Sequence, residues 1–164
     1  MMAHKILTAD RVKVGDGLPE LSVDVAPIDI VLGALASRDW RPQHHDYKFA
    51  TERNGVRDIF MNTPNLAAWF ERYVTDWTGP YGRMGWIRFR MKDSVFPGET
   101  MVFRGIVKGV DRDARGCAWA ELELELIAGG RLTTVCTARI AIPASEGDNP
   151  WQRRGEDWKP CAAA

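Results

Sequence analysis

One segment of this chain, Pro64 to Thr78, combines clear helix signals with an apolar stripe rich in aromatic rings. Apolar side chains recur there at spacings of three and four residues, as on one face of a helix. They are Leu66, Trp69, Phe70, Tyr73, Val74 and Trp77. Thr63 is the predicted N-cap, Pro64 suits the first turn, and Gly79-Pro80 ends the helix. So many rings need a broad concave apolar partner, which a curved sheet supplies better than a single helix does.

The rest of the chain is predicted to be mainly β-structure. The alternation is strictest between Glu121 and Leu126, where three glutamates alternate with three leucines. The predicted strands are Leu21–Val25, Trp86–Lys92, Thr100–Val110, Ala118–Ile127 and Leu132–Ile142, and short helices are predicted at Pro27–Ala36 and Asp46–Asn54. These elements predict an α+β fold, with a curved antiparallel sheet wrapped around the long helix and short connections between the last four strands.

The last hairpin allows a prediction of strand register. A three-residue loop, Ala128–Gly130, pairs apolar faces and places a glycine where a positive φ angle is needed. The predicted pairs are Leu126 with Leu132, Leu122 with Cys136, and Ala120 with Ala138. A two-residue loop would instead oppose the leucines to residues such as Thr133 and Thr137. The sequence therefore favours the three-residue loop.

Composition excludes several classes of function. The 164 residues correspond to a single domain, 1–164, with a core at about 18–143 and a polar tail at 144–164. Lys plus Arg and Asp plus Glu both number 22, so no excess positive charge points to a nucleic-acid partner. The longest apolar stretch is far shorter than the roughly 20 residues that cross a membrane, and the amino terminus does not resemble a secretory signal.

Three cysteines, Cys117, Cys136 and Cys161, are widely spaced and odd in number. This usage favours a reducing, cytoplasmic location over a disulfide framework, and no Cys-x-x-Cys pair suggests structural zinc. In the tail, Trp151 and Trp158 are the only large apolar side chains. Either the tail is solvated, or the two indoles dock it onto this chain or a partner.

The segment from Ser37 to Asp46 contains the candidate chemistry. It holds His44 and His45 together with Asp39, in a loop between two short helices. Histidine titrates near neutral pH, and a nearby carboxylate can orient it for general acid–base work around one water. A solvated polar turn in which Asp46 caps a helix is the plain alternative. A metal site formed by His44, His45 and Asp46 is disfavoured, because adjacent loop residues rarely point at one ion.

The stretch from Asp39 to Ala50 resembles the signature of the MaoC-like hydratases, in which an Asp, a Pro and a His stand at these offsets before a helix. Val95–Thr100 resembles the family's Pro-Gly-acidic-Thr turn. The resemblance implies a hot-dog fold and the addition of water to a trans-2-enoyl-CoA thioester, with Asp39 and His44 as the catalytic residues. It implies no metal, and no cofactor beyond the coenzyme A of the substrate. A hot-dog thioesterase and a non-catalytic acyl-CoA-binding subunit are the alternatives.

A narrower likeness is carried by Ser37–Trp40, His44–Asp46, Asp58–Phe60 and Arg72–Pro80. These segments are similar to the short MaoC-like subunit of bacterial steroid side-chain enoyl-CoA hydratases, which works with a second, longer MaoC-like chain. The likeness implies a steroid side-chain acyl group and a heteromeric complex, with a homodimer as the alternative. Asn62 stands where most of the family has Gly at the start of the central helix, so Asn62 and Thr63 are the predicted substrate-binding residues of the oxyanion region.

Overall fold

A computed structural model describes residues 6–160 of the chain, so Cys161 lies outside the described residues. The strands are β1 Gly17–Asp24, β2 Arg83–Met91, β3 Thr100–Arg112, β4 Ala118–Ala128 and β5 Arg131–Ile142. The α-helices are α1 Pro27–Ala36, α2 Tyr47–Glu52 and α3 Thr63–Thr78, and single 3₁₀ turns lie at Ala9–Arg11, Pro42–His44, Pro150–Gln152 and Gly155–Asp157.

The five strands form one antiparallel sheet in the order β1-β3-β4-β5-β2. The connections between the last four strands are short, but β2 pairs with β5 and not with its neighbour in sequence, β3. Residues 92–99 therefore cross from the edge of the sheet to its interior. This crossing brings the end of β2 to the amino-terminal end of α3, where Thr63 contacts Met91.

Helix α3 packs its predicted stripe against the sheet, which confirms the α+β prediction and gives a hot-dog fold. Phe70 is fully buried and meets Phe103 of β3 edge-on, with ring centroids 5.2 Å apart. Tyr73 packs on the same ring at 5.6 Å, and burying rings of this size contributes much of the core stability. Trp69 and Trp77 lie at the margin of the core, partly buried.

The N-cap of α3 is Asn62, so the prediction of Thr63 is wrong by one residue. Asn62 has extended backbone angles, with φ −81° and ψ 160°, while Thr63 already belongs to the helix. Pro64 fits within the first turn in either register because its nitrogen has no hydrogen to leave unpaired. The side chain of Asn62 makes no capping hydrogen bond to α3, so its amide is available for contacts outside the helix.

The predicted register of the last hairpin is also wrong. Gly129 and Gly130 alone form the loop, both with positive φ, and Ala128 pairs with Arg131. An irregularity follows at Thr133, which shifts the pairing by one residue. Beyond it, Leu124 pairs with Cys136 and Leu122 with Ala138. Apolar faces meet as expected, but a bulge achieves this where a longer loop was predicted.

The carboxyl-terminal segment docks on the chain. The Trp158 ring lies 5.1 Å from the ring of Trp119, on the side of the sheet away from α3, and Arg83 stacks on Trp158 at 3.6 Å. Arg83 also donates hydrogen bonds to the carbonyls of Pro150 and Arg153. Trp151 remains half exposed. Of the two alternatives for the tail, docking is therefore the one observed.

A search of the helices within residues 6–160 found none with the length and apolar character that crossing a bilayer requires.

Candidate active site

Asp39 is placed by the way in which helix α1 ends. The N–H of Asp39 donates to the carbonyl of Ala34 at 2.9 Å, and that of Arg38 donates to Leu35 at 3.0 Å. These two bonds define a Schellman motif, whose left-handed position is usually glycine. Here Arg38 occupies it, with φ 56°. The backbone of Asp39 is thus held by the helix end itself.

His44 is placed by a 3₁₀ turn, Pro42–His44, and by one strong hydrogen bond. Its Nδ1 lies 2.7 Å from the carbonyl oxygen of Phe60, and the Phe60 ring contacts the imidazole edge-on at 5.0 Å. A carbonyl can only accept, so Nδ1 carries the proton, and in the neutral ring Nε2 presents a lone pair. The side chain is 3% exposed, so this orientation is protected from water.

The two side chains meet: Nε2 of His44 is 3.4 Å from Oδ2 of Asp39. The Asp39 carboxylate also accepts from Nδ2 of Asn62 at 3.2 Å and from the N–H of Arg41 at 3.4 Å. Partial burial opposes ionisation of Asp39, but these hydrogen bonds, with the nearby His44 and Arg41, bring the pKa of its carboxyl below the usual value. The carboxylate is therefore ionised at neutral pH.

The side chain of Asn62 lies behind Asp39, with its Nδ2 also 2.8 Å from Oγ of Ser37. This contact requires α1 and α3 to approach closely. A Cβ at Gly33 would lie 2.0 Å from Nδ2 of Asn65 on α3, so any larger residue there would displace the Asn65 side chain. Thr63, the second predicted binding residue, is exposed at the mouth of the site and contacts Met91.

A cleft of about 330 Å³ opens onto Asp39 and His44. A more open groove of about 740 Å³, lined by residues 37–42 with Thr63 and Pro64, meets this cleft at Asp39. Asn62, Thr63 and Leu66 line it from α3, and Met91, Lys92 and Ser94 line it from the end of β2 and the segment that follows. A larger, shallower groove of about 490 Å³ lies on the outer face of the sheet, between Arg88 and Arg90 of β2 and Glu123 and Glu125 of β4. It is lined by neither Asp39 nor His44, so the smaller cleft is the one that opens onto the candidate pair.

The remaining polar residues of the loop have structural or peripheral positions. His45 is exposed and Asp46 accepts a hydrogen bond from the N–H of Phe49, capping α2. Among residues 6–160, no group of three or more His, Cys, Asp or Glu is arranged to hold a metal ion. Sequence reasoning missed Phe60, because it acts on His44 through its backbone carbonyl, which no side-chain pattern reveals.

Fold and site together define a hot-dog protein with an Asp–His pair at the amino-terminal end of its central helix. No family model matches the chain. A search of curated proteins found the 3-oxo-4,17-pregnadiene-20-carboxyl-CoA hydratase beta subunit of Mycobacterium tuberculosis, 39% identical over 98 residues, which are 60% of this chain and 75% of the relative.

Two solved structures show the same kind of similarity. A chain of the ChsH1–ChsH2 complex from M. tuberculosis superposes with a TM-score of 0.73 at 30% identity, over 79% of this chain and 98% of that one. A MaoC-like dehydratase from Rhodospirillum rubrum shares the fold, with a TM-score of 0.71 at 17% identity over 83% of this chain and 96% of that one. The chain belongs to the MaoC-like hydratase family.

Proposed function

We propose that this chain catalyses the reversible addition of water to a trans-2-enoyl-CoA, with Asp39 and His44 acting on one water molecule. The observation that carries the proposal is the meeting of two hydrogen-bond acceptors, Nε2 of His44 and Oδ2 of Asp39, 3.4 Å apart at a cleft. A water molecule has two hydrogens, one for each acceptor, so its oxygen can be directed at the double bond.

The proposed reaction balances without a cofactor beyond the coenzyme A of the substrate. The water oxygen bonds to C3 while one of its protons passes to the pair, and the π electrons move onto the thioester as an enolate. A proton from the pair then bonds to C2, and the thioester carbonyl re-forms. Both groups lie within reach of the same water, so the roles of base and acid are assigned to the pair.

The enolate oxygen needs hydrogen-bond donors, and we assign these to the backbone at the start of α3. Asn62 and Thr63 line the cleft there, at the positive end of the 16-residue helix. The side-chain amide of Asn62 is already used by Ser37 and Asp39. The contribution of Asn62 to the oxyanion region is therefore assigned to its N–H group.

The acyl group and the partner follow from the size of the cleft and from the relatives. The cleft alone, at about 330 Å³, is near the lower end for ligand pockets, which span roughly 300–1,000 Å³. The groove of about 740 Å³ that meets it at Asp39 is open to solvent, so this chain does not by itself enclose a steroid thioester. One relative is named for a pregnadiene carboxyl-CoA, and the similar solved chain belongs to a two-protein complex. We therefore propose a steroid side-chain substrate and a second MaoC-like chain that completes the acyl pocket.

The central experiment measures hydration of an enoyl-CoA by the loss of its conjugated absorbance. Asp39→Asn and His44→Ala are each expected to lower kcat/KM by at least about 100-fold, because each removes one acceptor of the water. His45→Ala is the matched control, since that imidazole is exposed, and should retain near-normal activity. Full activity in either catalytic variant would contradict the mechanism, and release of free coenzyme A would indicate a thioesterase.

A second measurement tests the partner. The isolated chain is expected to form a homodimer with weak activity on short, straight enoyl-CoA thioesters, and to gain activity on steroid-sized ones only with a second MaoC-like chain. Light scattering reports the assembly, and kinetics on the two substrate sizes report the pocket. An isolated chain that is fully active on a steroid-sized thioester would rule out the partner but not the hydratase.

A further inference from the structure

We infer that Asn62 and Ser37 are positioning residues, which form a relay that directs a neutral N–H donor at the catalytic carboxylate of Asp39. The inference rests on the proposed function, and it assigns to the Asn62 side chain a task different from binding the thioester oxygen. Its basis is a chain of three hydrogen bonds that runs from the end of α1 to Oδ2 of Asp39.

The direction of each bond is fixed by counting protons. The hydroxyl of Ser37 donates to the carbonyl of Gly33 at 2.7 Å. A hydroxyl has one proton, so toward Asn62 it can only accept. The Asn62 amide must therefore turn its NH₂ group to Ser37, and the second proton of that group points to Asp39. If the amide were flipped, its oxygen would face the carboxylate of Asp39 and a lone pair of the Ser37 hydroxyl.

The surroundings of the amide show that it is held for this contact. Asn62 is 1% exposed, so bulk water cannot replace its donor. Its Oδ1 has no hydrogen-bond partner among the described residues, so no other protein contact competes for the orientation of the amide. The two hydrogen bonds of the NH₂ group, to Ser37 and to Asp39, therefore set that orientation.

The chemical consequence concerns charge. A neutral amide stabilises the ionised carboxylate without cancelling its charge, so Asp39 stays an acceptor for the water and can still draw a proton. It also fixes Oδ2, the oxygen that faces Nε2 of His44. The relay therefore sets both the protonation state and the position of one half of the pair.

The test uses Asn62→Asp and Asn62→Ala, with the Asp39 carboxyl followed by ¹³C NMR titration and assigned by comparison with Asp39→Asn. Asn62→Asp is nearly isosteric and places a second carboxylate beside Asp39, so the two coupled carboxyls should show one pKa raised by about one unit or more. Asn62→Ala should raise the Asp39 pKa by less. Both should lower kcat rather than raise KM, with a loss of about 10- to 100-fold.

Matched controls separate positioning from folding. Ser37→Ala should lower kcat less than the Asn62 variants do, and Ser37→Thr, which keeps the hydroxyl, should restore most of it. Asn149→Asp makes the same substitution in the docked tail, where the side chain only accepts from the N–H of Trp151, and should change neither readout. Melting curves confirm that each variant is folded at the assay temperature.

An unchanged Asp39 titration in folded Asn62→Asp would overturn the relay, as would a loss of melting temperature with kcat intact. The titration needs no substrate, so it is independent of the proposed reaction. If the wild-type chain failed to hydrate any enoyl-CoA while Asn62→Asp shifted the Asp39 titration, the proposed function would fall and the relay would stand.

Discussion

Two carboxylates in this molecule are withdrawn from water in opposite ways. Glu99, whose side chain is 7% exposed, is bound by guanidinium groups of Arg57 and Arg131, each at 2.5 Å, and by the N–H of Phe96. Asp39, 18% exposed, receives its side-chain donor from neutral Asn62, and its nearest guanidinium, Arg41, is 3.8 Å away on a largely exposed side chain. The negative charge of Glu99 is compensated by two guanidinium groups, whereas the negative charge of Asp39 faces a cleft.

The difference separates a carboxylate that holds the fold from one that is available for chemistry. The bonds of Glu99 tie the start of β3 to β5 and to the segment before α3, and they also anchor residues 93–96 next to the cleft. The charge of Glu99 is therefore engaged in holding these segments together. Asp39 keeps a free side toward His44, which is the arrangement that a general acid or base requires.

The largest contrast is expected from matching amide substitutions. Glu99→Gln should lower the free energy of unfolding by about 2 kcal/mol, because two guanidinium groups and a buried N–H lose a charged acceptor. Asp39→Asn should change stability by less than about 0.5 kcal/mol while it removes activity. Urea unfolding and hydration assays on both variants check this. Equal stability losses would mean that the two carboxylates do not differ in role.

A smaller effect is expected from Gly33→Ala, which changes the contact of α1 with α3 near Asp39 and leaves the contacts of Glu99 unchanged. The added Cβ would lie 2.0 Å from Nδ2 of Asn65, so either the Asn65 side chain turns away and loses its hydrogen bond to the carbonyl of Asp29, or α1 shifts. Overpacking costs about 1–3 kcal/mol, partly offset by the better helix propensity of alanine. A shift of α1 would carry Ser37 with it, so a fall in activity reports that shift. The double variant Gly33→Ala/Asn65→Ala should recover stability, and no recovery would show that the contact with Asn65 is not the cause.

The smallest effect concerns pH. Because the pKa of Asp39 is lowered in the folded chain, its ionised form stabilises the fold; this contribution is present above about pH 4, the unfolded value, and is lost as pH falls through the folded pKa. The melting temperature of wild type minus that of Asp39→Asn should therefore decrease as the pH falls below about 4. A difference that grows as the pH falls below about 4 would contradict the assigned direction.

Much of this architecture could be predicted from residue patterns because the patterns are local. The spacing of Phe70, Tyr73 and Val74 specifies one helix face, and α1 was predicted with the bounds that the structure gives. The hairpin failed because a bulge at Thr133 satisfies the same apolar pairing as a longer loop. Periodicity predicts which face of a strand is buried. It does not predict whether one extra residue is placed in the loop or in a bulge between the paired strands.

The site was predictable only in part. Asp39 and His44 could be selected because a family signature and acid–base chemistry point to the same residues. The contact of Asn62 with Asp39, 23 residues apart in the chain, depends on a one-residue shift of the N-cap and on the close approach at Gly33. The carbonyl of Phe60 has no side-chain signature at all. Such details are set by tertiary packing, which a single sequence does not display.

The left-handed residue before Asp39 has a consequence for engineering. Arg38, at φ 56°, is the only non-glycine residue with positive φ among residues 6–160, and this conformation costs an ordinary side chain roughly 1–2 kcal/mol. Arg38→Gly therefore offers an easy gain in heat resistance. The same substitution would give more conformational freedom to the backbone that holds Asp39 at the end of α1. Selection for thermal robustness and selection for turnover should then favour different residues at position 38.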